Sequence, residues 1–202
     1  INSDWSEFSR VQLERARQIY EEHLELNSAD GAEYGVYATL LTRTGDDEIA
    51  LGAITSAIEH SPENPDWYQE RGDIYTRMGE LESAIDDYAI AFDLSPGNTS
   101  LVKLHADVAV KLAEELRIDP ALQREGEAFY QLALDDFNEL FNFSPYDSEL
   151  YVTRAHVYES MGSHDFALDD YNSALEIDPS VADWYVKRAA VLAGISEPNL
   201  AF

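Results

Sequence analysis

Residues 65–98 read PDWYQERGDIYTRMGELESAIDDYAIAFDLSPGN, and residues 148–181 read SELYVTRAHVYESMGSHDFALDDYNSALEIDPSV. The two lines agree column by column. Tyr68 stands over Tyr151, Arg71 over Arg154, Gly72 over Ala155 and Tyr75 over Tyr158. Further along, Gly79 stands over Gly162, Ala84 over Ala167, Tyr88 over Tyr171 and Pro96 over Pro179. The period is 34 residues, seen again between Pro62 and Pro96 and between Pro145 and Pro179. A repeat of this length means one small structural unit used several times.

The columns continue beyond those two lines. Tyr34 precedes Tyr68, and the small-residue column runs Ala38, Gly72, Ala106, Ala155, Ala189. The next column runs Leu41, Tyr75, Ala109, Tyr158, Leu192. Gly45, Gly79 and Gly162 interrupt the pattern, and after them come Ala50, Ala84, Ala133 and Ala167, then Ile54, Tyr88, Phe137 and Tyr171. Spacings of four and three put Tyr68, Gly72 and Tyr75 on one face of a first helix. Gly79 supplies its C-terminal turn. Ala84, Tyr88 and Ala91 make the facing stripe of a second helix, which Pro96 stops. Such a hairpin buries its apolar faces only by stacking on neighbours.

This order of small residue, aromatic, Gly, Ala, aromatic and Pro resembles the tetratricopeptide repeat. The family's Trp is replaced by Tyr34, Tyr68 and Tyr151, and its Leu-Gly pair reads Arg71-Gly72 and Arg154-Ala155. The resemblance covers nearly the whole chain. It implies an all-α fold, a right-handed superhelical α-solenoid of antiparallel helix pairs. On this reading 1–202 is a single domain. Residues 4–28 form an N-terminal helical segment, with Ala16 and Tyr20 in the second-helix columns. Regular repeats follow at 31–64 and 65–98, an expanded repeat at 99–147, a regular one at 148–181 and a terminal helix at 182–195. The tail SEPNLAF closes the chain.

Composition bounds the function. Forty Asp and Glu against thirteen Lys and Arg give a formal net charge of −27. Nucleic acid is a poor partner for such a surface, because phosphate binding needs clustered cations. An anionic membrane surface is disfavoured for the same reason. No apolar run is long enough to insert into a membrane. The acidity reads either as a soluble or salt-adapted surface or as recruitment of a basic partner. The scarcity of lysine, only Lys103, Lys111 and Lys187, leans towards the first. There is no cysteine, which excludes thiolate chemistry and disulfides but assigns no compartment. Ile1 rather than Met opens the chain, as expected of a processed or trimmed product.

No catalytic motif is present: no glycine-rich phosphate loop, no GxSxG and no HExxH. His156 and Glu159 stand three apart on a helix, but no third metal ligand accompanies them. The acidic pairs Asp86-Asp87, Asp135-Asp136 and Asp169-Asp170 recur in one repeat column, so their role is structural. The reading therefore calls for no catalytic residue, no metal and no cofactor.

What the resemblance implies is a protein-interaction scaffold, alone or within a larger assembly. The alternative is a regulatory or targeting segment of a longer polypeptide whose catalytic domain lies outside this chain. In the family, the first-helix face left over by packing lines a concave groove. Carried over, that face comprises Asp66, Gln69, Glu70, Asp73, Thr76 and Arg77, then Lys103, Asp107 and Lys111, then Glu149, Val152, His156 and Glu159. Some members grip a peptide's terminal carboxylate with Lys, Asn and Arg. Here the corresponding places hold Gly35, Thr39, Glu70, Ser100 and Leu104, so that clamp is missing. A groove rich in Asp and Glu suits a basic or polar protein segment.

Three structural expectations follow. Arg71 and Arg154 accompany Asp87 and Asp170, whereas the repeat with Tyr37 has Ala53, so Arg71–Asp87 and Arg154–Asp170 are expected to pair. The 49 residues from Pro96 to Pro145 exceed the period by 15. They are expected to lengthen both helices by about four turns together, with Asp119-Pro120 opening the second. In the last helix, Tyr185, Ala189 and Leu192 are expected to pack inward. Trp184, Val186, Ala190, Val191 and Ala193 are then exposed, to be covered by the tail Pro198–Phe202, by further repeats or by a second copy in a homodimer.

Overall fold

The computed structural model describes residues 11–12, 14–23 and 30–196. Helix α1 runs through the first two of these stretches. It is followed by α2 (Gly31–Thr44), α3 (Asp47–His60), α4 (Pro65–Met78), α5 (Leu81–Leu94), α6 (Thr99–Leu116), α7 (Gln123–Phe143), α8 (Ser148–Ser160), α9 (His164–Ile177) and α10 (Ala182–Ser196). No strand occurs among the described residues. The fold is all-α and built from antiparallel helix pairs. The chain divides into two compact units, one up to Leu101 and the other from Val102.

In the first unit, α2 pairs with α3, α3 with α4 and α4 with α5. The α4–α5 hairpin shows why the sequence folds this way. The Asn64 side chain accepts from the Asp66 amide at 3.0 Å, and Pro65 takes the first helical turn, where its missing N–H costs nothing. Gly79 then ends α4 at φ 83°, a left-handed conformation that Gly45 and Gly162 repeat at 86° and 72°. Gly72 lies against the Tyr88 ring, where an added Cβ would sit 2.8 Å from Cε1. This close approach lets Tyr88 be fully buried. Burying an aromatic of this size stabilises by roughly 2–3 kcal/mol. The first core gathers Tyr37, Ala38, Leu41, Ala50, Ile54, Ala57 and Ile74, with Tyr20 of α1 and Trp67 against it.

The expected ion pairs are present. Arg71 Nε and Nη2 donate to Asp87 Oδ2 and Oδ1 at 2.7 and 2.8 Å. Arg154 forks onto Asp170 in the same way at 2.8 and 2.7 Å. Asp87 and Asp170 are only 2% and 4% exposed, the two buried charged residues among those described. Each guanidinium also lies over aromatic rings, Arg71 over Tyr68 and Arg154 over Phe141.

In the second unit, α7 packs on α8, α8 on α9, and α9 on α10. The expanded hairpin departs from expectation in two ways. Helices α6 and α7 have 18 and 21 residues against 14 in α4 and α5, a gain of eleven residues or about three turns, not four. The rest of the insertion lies in the connection 117–122. Nor do Asp119 and Pro120 open α7. The Asp119 side chain accepts from the Ala121 amide at 2.9 Å inside that connection, and α7 starts at Gln123. Aspartate's local hydrogen bond makes a turn here rather than a cap.

Helix α10 corrects a further expectation. Trp184 and Val191 are buried against α9, while Tyr185, Ala189 and Leu192 are exposed. The reason lies in α8. Its Leu150 and Val157, in the columns of Trp184 and Val191, are buried, and α8 packs on α7 before it. Its Ala155 is buried with Ala167 and Tyr171 of the α9 that follows. The column of Ala189 thus faces a hairpin's own second helix, not the preceding one. Trp184 is therefore unavailable to a homodimer, whereas Val186 and Ala190 are exposed. The suggested cover by Pro198–Phe202 lies outside the described residues.

Candidate binding groove

Five of the expected groove residues converge in the first unit. Asp66, Gln69, Glu70, Asp73 and Arg77 of α4 line a cleft of about 340 Å³ together with Thr39 and Thr42 of α2. The spacing explains the convergence. These α4 residues lie between the columns that pack on α5, so they share the leftover face. Trp67 brings α4 close to α2. Its ring lies over Gly35 so tightly that an added Cβ would be 2.5 Å from Cη2.

The cleft's polar groups are held in place from below. Thr39 Oγ1 donates to Glu70 Oε1 at 2.7 Å and also to the Gly35 carbonyl at 3.0 Å. The Tyr88 hydroxyl donates to Asp73 Oδ1 at 2.7 Å. Arg77 does not project freely into the groove. Its Nε and Nη2 donate to Asp47 Oδ1 at 3.1 and 2.8 Å. Desolvation holds the Glu70 carboxyl above the usual range, Asp73 adds to this, and the Thr39 hydrogen bond and Arg77 oppose it. The cleft thus presents three carboxylates, with its one guanidinium already matched to a fourth.

Sequence reasoning did not assign Thr42 or Asp47 to this region and took Thr39 only as a missing clamp position. The signal was present: Thr39 and Thr42 stand 34 residues before Asp73 and Thr76.

The second unit holds the remaining expected residues. Lys103, Asp107 and Lys111 are exposed at four-residue spacing along α6. Packing around Asp107 raises its carboxyl, opposed by Lys103. On α8, Glu149 and His156 are exposed, but Glu159 accepts a short hydrogen bond from the Tyr171 hydroxyl. Val152 belongs to the core rather than the groove. No three of His, Cys, Asp and Glu assemble a metal site among the described residues.

One pair escaped the sequence reading. His105 Nδ1 lies 2.6 Å from Asp136 Oδ2, both largely buried. His105 follows Arg71 by 34 residues, and Asp136 precedes Asp170 by 34, so the pair replaces Arg–Asp in the expanded hairpin.

Family models of the tetratricopeptide repeat match residues 66–98 and 148–181. Among solved structures, MamA from Desulfovibrio magneticus RS-1 is similar with a TM-score of 0.64 at 15% identity, covering 84% of this chain and 86% of that one. YrrB, described as a TPR protein with an unusual peptide-binding site, gives 0.64 at 22% identity over 89% of this chain and 85% of its own. The first TPR of Spaghetti, bound to the HSP90 peptide SRMEEVD, gives 0.51 at 19% identity over 66% and 94%. No curated protein matches. At these identities the likenesses speak for the fold, and the fold agrees with the repeat matches and with the shared columns of the hairpins. The chain carries tetratricopeptide repeats at residues 66–98 and 148–181.

Proposed function

We propose that this protein is a non-catalytic interaction scaffold that holds a basic or polar peptide segment along the first-helix face centred on α2 and α4. The observation that carries the reading is the cleft of Asp66, Glu70 and Asp73, in which Thr39 holds Glu70, Tyr88 holds Asp73 and Arg77 is engaged by Asp47. Glu70 loses hydration in the folded chain. A ligand ammonium or guanidinium would restore what it lost. The structural neighbours include a protein with a peptide-binding site and one bound to a peptide, in keeping with this use of the fold. The acidic SRMEEVD type of peptide does not suit this cleft, because Thr39 and Glu70 stand where a carboxylate clamp would need cations.

On the same reading, Lys103, Asp107, Lys111, Glu149, His156 and Glu159 are candidate groove residues of the second unit. The test is titration of a Lys/Arg-containing peptide and an acidic peptide by fluorescence anisotropy, at low and high salt. Basic-peptide affinity should fall steeply with salt. Glu70→Gln and Asp73→Asn should each weaken it by about fivefold to tenfold. Equal affinity for the two peptides would remove the electrostatic reading.

A further inference from the structure

Helix α10 is built as the first helix of a hairpin, yet the side that receives a second helix is exposed. In the 148–181 hairpin that side carries Ala155, 0% exposed, which is buried with Ala167 and Tyr171 of α9. Its equivalent in α10 is Ala189, which is exposed, and beside it Tyr185 is 42% exposed.

Charge says what fits there. Arg188 occupies the column of Arg71 and Arg154. Its Nη1 donates to Asn172 Oδ1 at 2.8 Å, as Arg154 Nη1 donates to Asn138 at 3.0 Å. Arg154 places its Nε and Nη2 on Asp170 of α9. Among the described residues no carboxylate meets the same two nitrogens of Arg188. Helix α10 carries Lys187 and Arg188 against Asp183, a positive element in a chain of net −27. The helices that cover such faces are acidic: α9 has Asp165, Asp169, Asp170 and Glu176 and no Lys or Arg.

We propose that the exposed face of α10 binds an acidic amphipathic helix of a partner protein carrying Ala, then Asp three residues on and an aromatic four on. That is the pattern of Ala84–Asp87–Tyr88 and Ala167–Asp170–Tyr171, which fill this position elsewhere in the chain. The aspartate engages the Arg188 fork, and the aromatic lies over Ala189 as Tyr88 lies over Gly72. A second copy of this chain fits less well. The second-helix columns of α1 place Ile19 where the aspartate belongs.

The probe is a labelled 14-residue peptide, HDFALDDYNSALEI, the sequence of α9 itself. It should bind the full chain with a dissociation constant on the order of 100 µM, because an isolated helix this short must be ordered on binding. The same peptide with Asn in place of Asp170 should bind about tenfold more weakly. An Arg188→Gln chain, shown by its thermal melt to be folded, should no longer distinguish the two peptides. Ala189→Glu, at an exposed position, should block both. A basic peptide held in the α2–α4 cleft should not compete, so this site can fail without the groove failing. Absence of binding at about 1 mM, or equal binding of the Asp and Asn peptides to the unaltered chain, overturns the proposal. So does a dimer, formed without peptide and dissolved by Ala189→Glu, which would assign the face to a second copy.

Discussion

At the scale of single residues, two carboxylates in one helix pair have opposite fates. Asp87 is buried but satisfied by the Arg71 fork. Removing the guanidinium strands a charge in the core, so Arg71→Ala should cost about 3–5 kcal/mol in chemical denaturation. Replacing both partners with apolar residues should cost far less than the sum, and additive costs would contradict the pairing. By contrast, the exposed Lys187–Asp183 pair at 3.8 Å should contribute almost nothing. Glu70 is half-buried without a cation on it. Its raised carboxyl means that the folded state holds the proton more tightly than the unfolded state. Stability from this group is therefore present at low pH and lost as pH rises from the ordinary carboxylate range through the raised value. Glu70→Gln should remove that loss, giving a Tm at neutral pH higher by about 1 °C while weakening basic-peptide binding. An unchanged Tm with unchanged affinity would deny Glu70 both roles.

At the scale of the helix pair, the same substitution should change sign with its surroundings. Gly52 lies mid-helix in α3 with nothing within 4 Å of an added Cβ. Gly52→Ala should stabilise by about 0.5–1 kcal/mol through helix propensity. Gly35→Ala meets the Trp67 ring and should destabilise by about 1–3 kcal/mol despite the same propensity gain. Urea titrations of both variants test this, and equal shifts would show that α2 and α4 are less closely packed. The expanded hairpin offers a third case. His105 makes one contact with Asp136 where Arg71 and Arg154 each make two with their aspartates. His105→Arg should complete the fork and raise Tm by about 2–4 °C, corresponding to roughly 1 kcal/mol. A fall in Tm would mean that this hairpin lacks room for the longer side chain.

At the scale of the whole molecule, a net charge of −27 acts on folding and on binding in opposite directions. Salt screens self-repulsion and should raise Tm between about 20 mM and about 1 M. Salt also screens recruitment and should lower affinity for a basic peptide. Melts and titrations in the same buffers separate the two effects. A protein whose Tm rises with salt but which binds basic and acidic peptides alike has an acidic surface for solubility alone. Among the described residues no helix is long and apolar enough to cross a membrane.

The sequence by itself determined the repeat, the helix pairs, the glycine turns and the Arg–Asp forks. All of these are set by contacts inside one hairpin, so they recur at fixed offsets and can be read as columns. It also located five residues of the α2–α4 cleft, because whatever does not pack is left facing the groove. The tertiary structure decided what depends on neighbouring helices. It committed Arg77 to Asp47, buried Trp184 against α9 and left Tyr185 and Ala189 exposed. A column fixes which face of a helix a residue occupies, but not which neighbour that face meets. That depends on stacking order, and in α10 it turned Trp184 and Val191 inward and Tyr185, Ala189 and Leu192 outward, while Val186 and Ala190 stayed exposed as expected. The insertion in 99–147 was likewise visible as extra length. Its division between helix and connection was settled only by where Asp119 found its hydrogen bond.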